Sequence, residues 1–483
     1  MKYLLCLSIL ILTISGCSTK IEPLEPVPTP EQLAWHEVEM YALVCFNLVT
    51  FEDKEWGYGD ADPAIFNPSG FSADQIVNSA REGGLNGIIL VCKHHEGFCL
   101  WPTKTTEYNI SKSPWKNGQG DMVKEFQLAC ETAGMKFGVY LSPWDRNSAV
   151  YGEAGYIPIY YEQLRELLTG YGELFEVWFD GANGGDGWYG GADTIRNIDR
   201  FSYYGWDSIY KIVRELQPNA VIFSDMGDVR WVGNEEGFAG ETSWCMYTPK
   251  GKDDDSKPAP GYTKYWEGSE GHIDGRYWMP SECDFSIRPG WYYHESQNDA
   301  VKSSEVLFDH YLKIVGRNAS FNLGLPPDTR GLMHENDVKS LRGFREILKQ
   351  AFKSNLAIRS KIKADVNRRG YQGKKMIDGD PETYWAAPEN SIRAEIIIQL
   401  DEIRELNAIL LQEYIKLGQR IKSFRVEVKT AGEFVVVGEA STIGYKRILT
   451  FEPLKTNEIK VTIEDSRAAP VLSEIQIYRF PDV

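Results

Sequence analysis

From Met40 onward the chain alternates short apolar runs with amphipathic helical stretches, and this rhythm constrains the fold more than any other feature. "MYALVCFNLVT" reads as a strand. "SADQIVNSAREGG" reads as a helix opened by a Ser72/Gln75 capping box and stopped by glycine. Strand-like "NGIILVC", "KFGVYLS", "LFEVWFD" and "AVIFSD" then alternate with helix-like "DMVKEFQLACETAG", "YYEQLRELLTGYG" and "GWDSIYKIVRELQP". Strands joined through helices form parallel sheets, because a parallel pair needs a long crossover. A doubly wound open sheet would carry a glycine-rich phosphate loop after its first strand. Here "FNLVTFEDKEWGYG" carries acids and tryptophan instead, so the prediction is α/β, a (β/α)8-like TIM barrel. Between about Gly237 and Gly290 a polar, Trp-rich passage interrupts the rhythm, and long loops in compact domains are usually functional. Helix-like "AVKSSEVLFDHYLKIVGRN", strand-like "ASFNLGL" and helix-like "ENDVKSLRGFREILKQAF" then close the barrel.

Near Ser360 the pattern changes. From "IRAEIIIQLDEI" to "SEIQIYRF" short alternating strands follow one another with little helix, which predicts an all-β sandwich. The expected division is a catalytic barrel over 35–357 and a C-terminal β-sandwich over 358–483. Ahead of both, "MKYLLCLSILILTISGCSTK" has a cationic start and an apolar run too short to span a bilayer, so 1–16 reads as an export signal. "ISGC" resembles a bacterial lipobox, which implies lipid on Cys17 and a Pro-rich extended tether over 17–34. The expected location is an exported, membrane-anchored lipoprotein, periplasmic or at the cell surface. A net charge of −17 disfavours nucleic-acid backbones and anionic membrane surfaces, leaving a lipid anchor as the membrane contact. The cysteines after the signal show no CxxC pair and read as buried thiols rather than a disulfide framework.

A TIM barrel builds its active site where the chain leaves the C-terminal ends of its strands. That rule selects Asn47, Glu55 and Trp56; Lys93, His94, His95 and Glu96; Tyr140, Trp144 and Asp145; Trp178 and Asp180; and Asp225, Asp228, Arg230 and Glu235. "KHHEGF" is not HExxH and has no third ligand at supporting spacing, so the histidines read as neutral imidazoles for sugar hydroxyls rather than a metal site. In "FEVWFDG" an apolar strand ends in a carboxylate, with Trp178 on the same face two residues earlier. A glycosidase nucleophile needs that arrangement, though an Asp that caps the next helix would give the same pattern. The 14 Trp and 26 Tyr also suit carbohydrate, whose C–H faces stack on aromatic rings.

"KHHEGFCLW", "EVWFDGANG", "RWVGNEEG" and "SECDFSIRPGWYYH" resemble the α-L-fucosidases of glycoside hydrolase family 29, particularly the subgroup selective for α-1,3/1,4-linked fucose. "FEDKEWGYGD", "VGRNASFNLGLPPDTRG", "DGDPETYWA", "EYIKLGQRIKSF" and "IGYKRI" extend the likeness over nearly the whole chain. The resemblance implies a retaining exo-α-L-fucosidase that acts on Lewis-type oligosaccharides and glycoconjugates without a catalytic cofactor. Asp180 would be the nucleophile and Glu235 the general acid/base, with Glu236 and Glu282 as competitors for the second role. Glu55, Trp56, His94, His95, Tyr140, Trp178 and Trp291 would hold fucose, with Glu282, Arg288 and Asp145 as further candidates. Broad α-L-fucosidase activity and a non-catalytic glycan-binding lipoprotein are the alternatives. The tail resembles a discoidin-like carbohydrate-binding sandwich, in which Asp378, Asp380, Thr383 and Glu474 would hold a structural Ca²⁺.

Overall fold

The computed structural model describes residues 20–253, 257–262 and 265–482. The signal at 1–16 and Cys17 lie outside the described residues. Eight strands form the barrel: β1 (Met40–Val44), β2 (Gly87–Lys93), β3 (Lys136–Leu141), β4 (Glu176–Trp178), β5 (Val221–Phe223), β6 (Arg230–Trp231), β7 (Ser281–Ser286) and β8 (Ser320–Leu325). They hydrogen-bond in the order β5-β4-β3-β2-β1-β8-β7-β6, all in parallel. An isolated parallel bridge between Phe223 and Val229 spans the seam between β5 and β6, so the barrel is nearly closed. The strand expected at "AVIFSD" is β5; β6 and β7 were not foreseen.

Helices cover the outer face: α2 (Ala73–Glu82), α3 (Met122–Ala133), α4 (Tyr156–Gly170), α5 (Trp206–Leu216), α6 (Ser304–Ile314) and α7 (Glu335–Ala351). Successive side chains point to opposite sides of each strand. Ala42, Val44, Ile88, Leu90, Cys92, Val139 and Val177 therefore pack outward in the helix-covered core. Tyr41, Leu43, Ile89, Val91, Tyr140, Trp178, Val221 and Phe223 form a second cluster inside the barrel. No helix of comparable length follows β5: the turn Ser224–Val229 leads straight into β6, with Ser224 N donating to Val229 O at 3.0 Å.

The described part of the expected tether is not a free spacer. Ile21 is buried with Ala386, Leu417 and Val471 of the sandwich, and Leu24 N donates to Leu417 O at 3.0 Å. Thr29 then caps helix α1 (Pro30–Val38) through a capping box with Gln32. This helix drives Trp35 into the N-terminal end of the barrel, where its indole donates to Glu176 Oε2 at 2.9 Å. Packing against two domains orders a proline-rich stretch that in isolation would be extended chain, so the barrel unit begins at α1 rather than at residue 35.

The C-terminal domain contains β9 (Lys361–Ala364), β10 (Trp385–Ala386), β11 (Ala394–Glu413), β12 (Ile421–Thr430), β13 (Glu433–Ser441), β14 (Arg447–Ser466) and β15 (Val471–Tyr478). They pair antiparallel in the order β10-β15-β11-β14-β12-β13, with β9 on the far part of β11. Register shifts at Gln399/Arg404 and Leu406/Ala408 bend the long β11–β14 ladder, the usual consequence of bulges in long paired strands. Ile396, Ile409, Phe424, Val461 and Ile475 fill the core between its layers. The two domains share packing: Leu410, Ile448, Tyr478 and Phe480 belong to the barrel's outer core. Polar ties reinforce it, among them Tyr445 N to Asn318 Oδ1 at 2.7 Å and Cys245 N to Gln419 Oε1 at 2.7 Å.

Candidate active site

The C-terminal ends of the barrel strands meet around a cavity of about 270 Å³ whose lining includes Trp178, Asp180, Trp231, Glu235 and Asp284. A larger cleft of about 570 Å³ lies at the opposite end beneath α1, among Trp35, Lys136 and Phe175. Chemistry in this architecture belongs to the first, because only the loops leaving the C-terminal ends can vary without disturbing the barrel.

Asp180 leaves β4 with both carboxylate oxygens engaged. Tyr140 OH donates to Oδ2 at 2.7 Å and Ala182 N donates to Oδ1 at 2.6 Å. Beneath it, Tyr140 stacks on Trp178 and Trp178 on Phe223, with ring centroids 5.0 and 4.2 Å apart. Burial and the neighbouring Asp180 charge hold the Tyr140 phenol well above its usual range, so it stays a donor.

His95 and His94 emerge from β2 with centroids 3.9 Å apart. Ser142 Oγ donates to Trp144 O at 3.0 Å, so His95 Nδ1, 2.8 Å from the same hydroxyl, is the donor in that contact. The bare Nε2 faces Asp180 Oδ2 at 4.0 Å, ready to accept from a hydroxyl. Burial, with the charges of His94, Arg146 and Lys93, keeps the ring neutral. His94 Nδ1 lies 3.4 Å from Oε2 of the buried Glu96, an ion-pair distance rather than a good hydrogen bond. No metal-holding group of three His, Cys, Asp or Glu residues occurs among the described residues.

Glu235 sits in "GNEEG" after β6. Gly233 and Gly237 both adopt positive φ, and a Cβ on Gly237 would meet His310 Nδ1 at 2.5 Å. Glu235 Oε2 accepts from the indole of Trp291 at 3.1 Å. Burial raises the Glu235 carboxyl, the Trp291 bond opposes that, and the charges of Asp180 and Glu55 add to it. The side chain is exposed at the cavity mouth, so the burial effect is partial and a sugar ring seated over it would deepen it. Glu236 is exposed and outside the lining.

Trp291 reaches this position because Gly324 on β8 leaves room: a Cβ there would meet the indole at 2.7 Å. Trp56 stands on the rim, 52% exposed, edge-on to His95 and Trp144. Glu55 ties loops together, its Oε2 accepting from Trp291 N at 2.9 Å.

Three expected sugar contacts are corrected. Glu282 is fully buried inside the barrel, where Oε1 accepts from Trp178 Nε1 at 2.8 Å and Asn322 Nδ2 at 2.9 Å, and Oε2 accepts from Tyr41 OH. Burial and then the charge of Glu282 push Glu176 well above the carboxylate range, so Glu176 stays a neutral acid beside Glu282. Enclosed in this way, Glu282 supports Trp178 from below and cannot serve as acid/base. Arg288 is also fully buried: Nε and Nη2 clasp Asp337 of α7 at 2.9 and 2.6 Å, pinning the loop after β7. Asp145 is a support as well, accepting from Ser148 N at 2.9 Å and lying 3.5 Å from the buried Lys93 ammonium.

Asp284 and Trp231 escaped the sequence reading. The Trp231 indole donates to Asp284 Oδ1 at 2.7 Å, and both line the cavity. Burial, then the charges of Glu235 and Glu282, raise the Asp284 carboxyl well above its usual range. The available signal was the alternation in "SECDFS", which puts Glu282, Asp284 and Ser286 on one face.

In the sandwich, Thr383 Oγ1 donates to Asp378 Oδ2 at 2.7 Å, and Asp380 N to Asp378 Oδ1 at 3.0 Å. Glu474 Oε1 is buried with no hydrogen-bond partner. Burial, with the charges of Asp378 and Asp380, pushes its carboxyl up to about 7.

Two carboxyls on different strand ends opening on one barrel cavity over an aromatic floor, with the neutral imidazole of His95 beside Asp180, define a glycoside hydrolase. A family model described as Alpha-L-fucosidase matches residues 26–351, and one described as F5/8 type C domain matches 361–475. Alpha-L-fucosidase 1 of Arabidopsis thaliana is 38% identical over 470 residues, covering 94% of this chain and 88% of the relative. The structure of a glycoside hydrolase 29 family member from an unknown rumen bacterium is 40% identical, with a TM-score of 0.86 over 96% of this chain and 79% of that one. A Ruminococcus gnavus GH29 fucosidase solved in complex with fucose is 30% identical, with a TM-score of 0.83 over 95% and 96%. The chain belongs to the alpha-L-fucosidase family of glycoside hydrolases, with an F5/8 type C (discoidin-like) domain behind its barrel.

Proposed function

We propose that this α-L-fucosidase releases α-1,3/1,4-linked fucose from branched, Lewis-type glycans by double displacement, with Asp180 as nucleophile and Glu235 as acid/base. The observation that carries the mechanism is one cavity lined by both carboxyls, each oriented by an aromatic donor, Tyr140 on Asp180 and Trp291 on Glu235. Asp180 attacks the anomeric carbon while Glu235 gives its proton to the departing glycosidic oxygen. Forming the ester removes the Asp180 charge, so Glu235 can stay ionised and take a proton from the incoming water. Tyr140 steadies the carboxylate before attack. His95 Nε2 and His94 are suited to fucose hydroxyls, and the rings of Trp56 and Trp291 to its apolar face and methyl group.

The linkage preference rests on the resemblance of the loop motifs to the α-1,3/1,4-selective subgroup. A panel of α-1,2-, α-1,3-, α-1,4- and α-1,6-fucosylated oligosaccharides tests it: rates confined to α-1,3 and α-1,4 linkages support it, and equal rates on all four indicate broad specificity. Azide separates the two carboxyl roles. Asp180→Gly with azide should yield the inverted β-fucosyl azide and Glu235→Ala the retained α-fucosyl azide, while azide rescue of Glu236→Ala instead would move the acid/base.

Two further readings concern the ends of the molecule. Lipid on Cys17 rests on the lipobox-like sequence, and a Cys17→Ser chain that still partitions with membranes would contradict it. A structural Ca²⁺ held by Asp378, Asp380, Thr383 and Glu474 is supported by the orphaned Glu474 oxygen and would neutralise this acidic loop, and the ion would have to draw together carboxylates that do not form a ready metal-holding group. Chelation should then lower the Tm, and Glu474→Gln should remove that sensitivity.

A further inference from the structure

The rim loop after β1, which carries Trp56, meets the rim loop after β7, which carries Trp291, through one histidine. His294 Nδ1 lies 2.6 Å from Asp53 Oδ1, and Nε2 lies 2.7 Å from Glu55 Oε1. Ionised carboxylates only accept, so both ring nitrogens must carry hydrogen and the ring must be an imidazolium. A neutral ring would leave one nitrogen lone pair against a carboxylate oxygen. Glu55 carries the connection onward by accepting from Trp291 N at 2.9 Å, and the Trp291 indole donates to Glu235 at 3.1 Å.

Resting on the assignment of this rim as the fucose pocket, we propose that His294, as an imidazolium clasped by Asp53 and Glu55, is a positioning residue that holds the Trp56 and Trp291 loops together and sets the approach of Glu235. The groups around it agree. Asp53 and Glu55 face it from the first loop, and Glu295 follows it in the chain. Across the adjoining cleft of about 510 Å³ lie Asp328, Arg330, His334 and Glu335. Arg330 is taken up by Asp328 and Glu335 at 2.6 and 3.0 Å and His334 faces Glu335 at 3.6 Å, so among the described residues neither pairs with Asp53 from that side. Partial burial lowers the proton affinity of His294, but its bonds to Asp53 and Glu55 outweigh that and the net shift is upward.

The test is the pH dependence of kcat/KM on 4-nitrophenyl α-L-fucoside for wild type, His294→Gln and His294→Arg. The amide, like a neutral imidazole, supplies one donor and one acceptor in place of two donors. His294→Gln should lower kcat/KM about tenfold, chiefly through KM, the scale expected when binding groups shift by a fraction of an ångström. Wild type should lose activity at alkaline pH in two one-proton steps, one from Glu235 and one from His294. His294→Arg keeps two donors and does not titrate, so it should retain activity and lose only the second step. Unaltered kcat/KM in His294→Gln with an unaltered profile in His294→Arg would overturn the proposal. Should the variants fail to fold, ¹⁵N-histidine spectra of wild type decide: two protonated nitrogens at pH 7 support the clasp, and a neutral ring overturns it. Wild-type turnover of the aryl fucoside reports separately on the fucosidase reading.

Discussion

The two halves of the barrel interior treat the same kind of residue differently. On β4 the inward positions are Glu176 and Trp178, and the chain leaves at Asp180. On β7 they are Glu282, Asp284 and Ser286. Height within the barrel decides what each acid does. Asp180 stands at the open end, held as an acceptor by Tyr140 and Ala182. Glu176 and Glu282, below Trp178, are sealed from water, and burial with the Glu282 charge holds Glu176 neutral. Asp284 lies between these extremes, raised by burial and by the charges above and below it. Carboxyls on neighbouring layers of one barrel thus become an open acceptor suited to the proposed nucleophile role, a neutral acid and a structural acceptor through burial and the charges beside them.

The contrast can be broken by substitution. Asp180→Ala should have the largest effect, lowering kcat about 10⁴-fold or more on an aryl fucoside, because it removes the proposed nucleophile. Its thermal midpoint should stay near wild type, since the carboxylate is partly solvated. Arg288→Ala should do the reverse: leaving Asp337 buried without its partner costs about 3–5 kcal/mol of stability, read as a denaturant midpoint shift at constant m-value. Its KM should change little in whatever protein stays folded. Glu282→Ala should cost about 3 kcal/mol, because the donors of Trp178, Asn322 and Tyr41 lose their acceptor.

Glu176→Gln should have the smallest effect, and its sign depends on pH. The folded-state affinity of Glu176 for a proton is raised. As pH rises above the ordinary glutamate value, the unfolded chain ionises while the folded one does not, so wild type loses stability. The amide escapes this loss. The Tm difference, Glu176→Gln minus wild type, should therefore grow from pH 4 to pH 8; a constant difference would mean that Glu176 is ionised in the folded barrel.

The legible parts of this molecule were those in which local pattern and environment agree. β1 to β5, Glu176 apart, mostly alternate outward apolar with inward aromatic or aliphatic side chains, and the first two crossover helices carry ordinary caps, Ser72 on Gln75 N at 3.2 Å and Asp121 on Lys124 N at 2.9 Å. Asp180 was visible because it ends such a strand. β7 was hidden because its inward face is polar, so "SECDFS" has the alternation of a strand with the wrong face buried by the usual rule. β6 was hidden by brevity, with only Arg230 and Trp231 in the ladder. Glu282 and Arg288 enter as sugar-contact candidates only through the resemblance of "SECDFSIRPGWYYH", and here Tyr41, Trp178 and Asn322 satisfy the first and Asp337 the second. Such partners lie far away in sequence, and only folding brings them together. The same holds for Ile21 and Leu24, whose docking on the sandwich no local pattern announces.

The central claim is the proposal that Asp180, alone among these inward acids, stands open to the cavity as the group that attacks. Trapping the intermediate tests it directly: incubate the enzyme with a 2-deoxy-2-fluoro-α-L-fucosyl fluoride, digest it and map the modified peptide by mass spectrometry. The account predicts a single fluorofucosyl ester on Asp180, within the peptide containing "EVWFDGANGG". An ester on Glu235, Asp284 or any other carboxyl would contradict it.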